Sequence, residues 1–171
     1  APTLRVEGLT FAYSPSDKPI LPGIDLDIPK GSFVAITGPS GSGKTTLMRL
    51  MLGLLQPVAG ELFVDNVPLG PATLAGWRSR AAAVMQDDHL LTGTLADNIA
   101  FFDPKPDEQL VEHAARLARI HDDIIRMPMG YYSLVSDMGA ALSAGQRQRI
   151  LLARALYRDP DILFLDVGTA N

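Results

Sequence analysis

The sequence predicts an α/β fold, and three observations predict it. A short apolar, β-branched run, Phe33 to Thr37 (FVAIT), leads into a glycine-rich loop, Gly38 to Thr45 (GPSGSGKT), and on into a longer apolar stretch, in the order strand, loop, helix. Loosely alternating segments precede this unit, and a region of helical period follows it. The chain then returns to an apolar run at Asp161 to Asp166 (DILFLD), so the helices are inserted between strands of one core.

Taken in order, Leu4 to Tyr13 and Gly23 to Ile28 alternate between apolar and polar residues with Pro and Gly between them, the pattern of antiparallel strands. Thr45 to Leu55 reads as the helix after the loop, stopped by Pro57. Gly60 to Val67 reads as a further hairpin, and Ala82 to Met85 as a buried strand leading into Gln86. From Asp107 the period is helical, with Leu110, Ala114, Leu117 and Ala118 on one face and Glu112, Arg116 and Arg119 off it. The expected division is therefore a β lobe with the P-loop core over 1–87, a helical lobe over 88–157, and a return to the core over 158–171. A P-loop α/β core normally runs on past such a strand, so the C-terminal part of the domain is expected to be missing.

Composition narrows the function classes. The chain has 171 residues, 47% of them hydrophobic, enough for a globular unit with a core. No apolar run approaches the roughly 20 residues that span a bilayer, and APTLRVEG at the N-terminus has neither a basic nor an apolar signal region. The chain as given is expected neither to span a membrane nor to be secreted. A net charge of -4 with scattered Lys and Arg argues against a nucleic-acid partner. The absence of cysteine excludes a disulfide framework and a cysteine metal site.

GPSGSGKT fits GxxxxGK(S/T) without a mismatch and in the structural context that the motif needs. Gly38, Gly41 and Gly43 let successive N–H groups face a phosphate at a helix N-terminus. Lys44 supplies a charge to the β and γ phosphates, and the Thr45 hydroxyl is a Mg²⁺ ligand. Asp166 ends its apolar run at the carboxyl end of a strand, where it would hold Mg²⁺ through water or simply cap a loop. Ser143 suits the N-cap of a helix through Ile150 and Leu156, with amides free for an anion or with no ligand at all. His89, His113 and His121 read as surface or helix-packing residues.

LSAGQRQR, Leu142 to Arg149, followed by ARAL and placed between the P-loop and Asp166, resembles the LSGGQxQR signature of the ATP-binding cassette (ABC) family, with Ala144 replacing one Gly. The resemblance covers nearly the whole chain and implies a P-loop NTPase core that uses ATP and Mg²⁺. It implies nucleotide binding by Gly38, Pro39, Ser40, Gly41, Ser42, Gly43, Lys44, Thr45 and Thr46, with Tyr13 stacked on adenine. Without it, the other reading of Tyr13 is a half-buried strand residue, and Gln86 reads as a solvated loop residue. With it, Gln86 touches Mg²⁺ and the attacking water, joining Thr45 and Asp166 as metal-site residues. Leu142, Ser143, Ala144, Gly145 and Gln146 would face nucleotide held by a second nucleotide-binding domain in a head-to-tail dimer, homomeric or heteromeric.

Leu90 to Ile99 and Ser133 to Gly139, with Asp137 where the family usually carries Glu, are similar to exporter segments. The implied partner is thus the transmembrane domain of an exporter, with this domain on the cytoplasmic face of the membrane. MPMGYYSLVSD and LDVGTAN are similar to transporters that process and export bacterial peptides. One position departs from the family. Val167 stands where the family places its catalytic Glu, and losing a positioned base costs roughly 10² to 10⁴ in rate. The rivals are a degenerate or regulatory site without turnover, a soluble cassette ATPase, and an unrelated P-loop kinase or GTPase, against which LSAGQ argues.

Overall fold

The computed structural model describes residues 1–135 and 142–166. The chain divides into two compact units, Ala1–Ala81 and Ala82–Asn171, so the division falls between 81 and 82 and groups Gln86 with the helices.

The first unit is built on a four-stranded antiparallel sheet. β1 (Leu4–Phe11), β2 (Leu21–Ile28), β3 (Ala59–Val64) and β4 (Val67–Pro68) lie in the order β2-β1-β3-β4. Alternation along β1 buries Leu4 and Val6, then shifts to Leu9 and Phe11, because the register is irregular between Val6 and Leu9. Opposite this irregularity, a Cβ on Gly60 would lie 2.4 Å from the Gly8 carbonyl oxygen, so only glycine fits there. The β3–β4 hairpin turns on Asp65 and Asn66, both at positive φ (51° and 64°), the two-residue geometry that matches strand twist.

α1 (Lys44–Met51) buries Thr46, Leu47, Leu50 and Met51, and α2 (Leu74–Arg80) is anchored through Trp77, whose Nε1 donates to the Met51 carbonyl at 2.8 Å. α1 ends earlier than the expected Leu55. Gly53 at φ 69° and the bonds Gly53 N to Leu50 O and Leu54 N to Arg49 O close a Schellman motif, so the stop is Gly53 and not Pro57.

The expected strand Phe33–Thr37 does not form: the run is irregular, and Phe33 is 93% exposed. Apolar β-branched composition supplies the propensity, but a strand exists only where a neighbour accepts its ladder, and the sheet of this unit leaves the run unpaired. β1 also stops at Phe11, which places Tyr13 outside the strand.

The second unit contains a two-stranded sheet, β5 (Ala81–Val84) with β6 (Ile162–Leu165), and the helices α3 (Leu95–Ile99), α4 (Glu108–Leu117), α5 (His121–Ile125) and α6 (Ala144–Leu156). α6 is the organising element. Its Ile150 and Ala153 join Leu95, Ile99, Val111, Ala115, Ile120 and Ile124 in the main core, while Leu151 and Ala155 pack with Val84.

The face of α4 differs from expectation. Val111, Ala114, Ala115 and Ala118 are buried, whereas Leu110 and Leu117 are exposed. The i, i+3, i+4, i+7 stripe is present but rotated by one position, because small Ala residues allow the close approach that Leu would prevent. β6 is less buried than its composition suggests, with Phe164 buried and Leu165 exposed.

Candidate functional site

In the first unit the P-loop is folded on itself. Gly41 (φ 79°) and Gly43 (φ 90°) take left-handed conformations, and the Lys44 ammonium donates to the Gly38 and Pro39 carbonyls at 2.8 Å each, closing the loop over its own backbone. Ser42 N donates to Pro39 O at 3.2 Å. Gly43 is the N-cap of α1; the helix has no side-chain cap and no acidic residue in its first turn. No acidic side chain therefore offsets the positive dipole end of the helix. Pro39, Ser40, Gly41 and Ser42 are exposed, Lys44 and Thr45 partly buried.

The structure brings Tyr13 to this loop. The Tyr13 and Thr46 hydroxyls lie 3.1 Å apart, and the Tyr13 ring stands edge-on to Phe11 with centroids 5.0 Å apart at 87°. Tyr13 is 58% exposed, so the ring is held at its edge and hydroxyl while surface remains open for stacking. Thr46 is buried beneath it.

In the second unit, Ser143 caps α6. Its Oγ accepts from Gln146 N at 3.1 Å, and Gln146 Oε1 accepts from Ser143 N at 2.9 Å, a complete capping box. The Ser143 hydroxyl proton is left to donate outward, and Ser143, Ala144 and Gly145 are exposed. Leu142 is buried, and its carbonyl accepts from Arg147.

Gln86 is exposed on the turn after β5, where Asp88 N donates to Met85 O and Asp88 Oδ2 accepts from Met85 N. Asp166 follows β6, and its N–H donates to Val84 O at 2.8 Å. Gln86, Asp166, Ala144 and Arg147 line one cleft of about 310 Å³. This unit thus gathers a carboxylate, an amide and the start of α6 around a single cavity.

The two segments singled out around Leu90–Ile99 and Ser133–Gly139 meet. Leu95 N donates to Ser133 O at 3.0 Å, Val135 N donates to Gly93 O at 2.9 Å, and Thr94 bridges Leu134. Asp137 and Val167 lie outside the described residues.

Two residues escaped the sequence reading. Asn98 is fully buried: its Nδ2 donates to Leu91 O and Thr94 O, and its Oδ1 accepts from Leu91 N. Arg154 of α6 donates to Asn98 O (2.9 Å), Asn98 Oδ1 (2.7 Å) and His89 O (3.1 Å), and its guanidinium covers the Phe101 ring at 5.2 Å. Burial lowers the Arg154 pKa below its usual value. These contacts tie the segment after Gln86 to the helix that Ser143 starts. A polar Asn within an otherwise apolar helical stripe was the available signal.

A family model described as ABC transporter matches residues 21–170. The chain belongs to the ABC transporter family. Among ABC relatives, it is 42% identical over 168 residues to the colicin V secretion/processing ATP-binding protein CvaB of Escherichia coli, covering 98% of this chain and 24% of that protein. It is 44% identical over 167 residues to the ATP-dependent lipid A-core flippase of Chromohalobacter salexigens, covering 98% and 29% respectively. The solved structure of a bacterial Atm1-family ABC exporter with ATP bound superposes with a TM-score of 0.88 at 35% identity, covering 96% of this chain and 28% of that one. The chain therefore spans roughly a quarter of the length of these ABC proteins. The α/β architecture with its antiparallel sheet and helices is the one expected for an ABC nucleotide-binding domain.

Proposed function

We propose that this chain is the ATP-binding domain of an ABC exporter, with a β lobe and P-loop over 1–87, a helical lobe over 88–157 and a return to the core over 158–171. The carrying observation is the curled loop on Lys44 beside an exposed Tyr13 ring tied to Thr46. The residue types suit Mg-ATP: α1 lacks a side-chain cap, so phosphate oxygens can complete its first turn, and a Thr hydroxyl and an Asp carboxylate are oxygen ligands of the kind that Mg²⁺ takes. Mg²⁺ supplies charge neutralisation at the phosphates when bound.

Within this reading, Gly38 to Thr46 grip the phosphates and Tyr13 stacks on adenine. Gln86 and Asp166 hold the metal site and position water. Ser143, through its outward proton, and the amides of Ala144 and Gly145 serve nucleotide carried by a second nucleotide-binding domain. Closure of that pair on ATP and its release after hydrolysis would move the transmembrane domain of an exporter, with this domain at the cytoplasmic face of the membrane. The likeness to CvaB, a colicin V secretion/processing protein, favours a peptide cargo.

Val167 adds that the domain binds and closes well but turns over slowly, because an apolar side chain cannot orient water. Phosphate release should rise roughly 10²-fold or more in Val167→Glu with Mg-ATP affinity held. A wild type as fast as Val167→Glu refutes the impairment, and a chain that binds no Mg-ATP refutes the reading as a whole.

A further inference from the structure

We infer that Thr46 is a positioning residue for the base platform: its hydroxyl pins the Tyr13 ring, so that base and triphosphate are recognised as one rigid unit. The inference rests on the proposed ATP site and concerns how its two halves are joined.

The segment from Phe11 to Ile20 leaves the sheet and returns to it, with Ile20 N donating to Phe11 O at 2.8 Å. Two contacts then fix this return to the P-loop. A Cβ on Gly43 would sit 2.8 Å from Ile20 Cγ2 and 2.9 Å from Leu21 Cδ2, so the loop's last glycine is pressed against the start of β2. The second contact is the 3.1 Å pair between Tyr13 and Thr46. Phe11 braces the Tyr13 ring edge-on, and the hydroxyl contact gives the ring a second point of attachment. Thr46 is itself fixed, being buried in the first turn of α1, so the ring takes its position from the helix that ends the phosphate loop. A platform held before binding spares the entropy of ordering it afterwards. Stacking alone would not need the hydroxyl, since a phenyl ring presents an equivalent face.

The test compares Mg-ATP with inorganic tripolyphosphate, which shares the phosphate contacts and lacks the base, by titration calorimetry on the chain. Tyr13→Phe keeps the ring and removes only the hydroxyl. The ratio of ATP to tripolyphosphate affinity should fall about 3- to 10-fold, the worth of one net hydrogen bond. Thr46→Val in the Tyr13→Phe background should lower that ratio no further, because the shared contact is already gone. An unchanged ratio in Tyr13→Phe, or additive losses in the double variant, overturns the inference and leaves the ATP site standing. A wild type that binds neither ligand overturns the site and the inference together.

Discussion

Replacing Arg154 by Met removes a guanidinium that joins the segment after Gln86 to α6, while keeping an unbranched apolar stem over Phe101. Two of its bonds, to Asn98 O and Asn98 Oδ1, are partly buried, and hydrogen bonds involving a charged group are worth about 1.5 to 3 kcal/mol each. The bond to His89 O is exposed and counts little. Against this stands the cost of burying the cation, the same effect that lowers its pKa. Setting part of one against the other leaves a net loss of about 2 to 4 kcal/mol. The reporter is the Leu91 amide, which donates to Asn98 Oδ1 at 2.8 Å and so opens when Asn98 loosens. Native-state hydrogen exchange at Leu91 should quicken by about 30- to 700-fold, with much smaller changes at the amides of β1. A change below threefold at Leu91, or an equal change throughout the chain, would show that Asn98 holds this segment without help from α6.

Other substitutions probe separate links. Ser143→Ala breaks the capping box and should cost about 1 kcal/mol, read by urea denaturation followed by circular dichroism; an unchanged midpoint would mean that α6 is held by its core face alone. Lys44→Ala should weaken Mg-ATP binding by at least about tenfold, since it removes the only charge that the loop supplies; equal affinity in equilibrium dialysis would place the phosphates elsewhere. Burial first, with Glu112 adding to it, pushes the Tyr131 pKa up to about 12 from 10.0. Its folded value lies above its unfolded one, so stability is fully present below pH 10 and falls as pH rises toward 12. Tyr131→Phe should flatten that part of the alkaline stability curve, and an unchanged slope would assign it to other groups.

Local turns and caps were more legible than the core around them. The curl of GPSGSGKT could be read directly because it is made by consecutive residues, with glycine at the positions that take positive φ. Ser143 was legible as the N-cap of α6 for the same reason, a cap being made within four residues, while the return bond from Gln146 that completes the box came from the structure. The β3–β4 hairpin likewise follows from its own turn, Asp65-Asn66. The run Phe33–Thr37 shows the opposite case: its composition states a preference, but pairing requires a neighbour that no local pattern names. The buried face of α4 was off by one position because Leu110 and Leu117 looked like core, while the small Ala114, Ala115 and Ala118 let the helices approach closely.

By itself, then, the sequence determined the family through its motifs, and it determined the glycine-rich curl before α1 and the capped start of α6, since each of these two local features is specified by residues within about two turns of one another. Only the tertiary structure decided that Tyr13 meets Thr46, that Gln86 and Asp166 share a cleft, and that Arg154 reaches Asn98 and His89. Those pairs are separated along the chain by tens of residues, and in the second unit what joins them is the β5–β6 pairing and the packing of α6. Packing is a property of all the side chains at once, so no single stretch of sequence carries it.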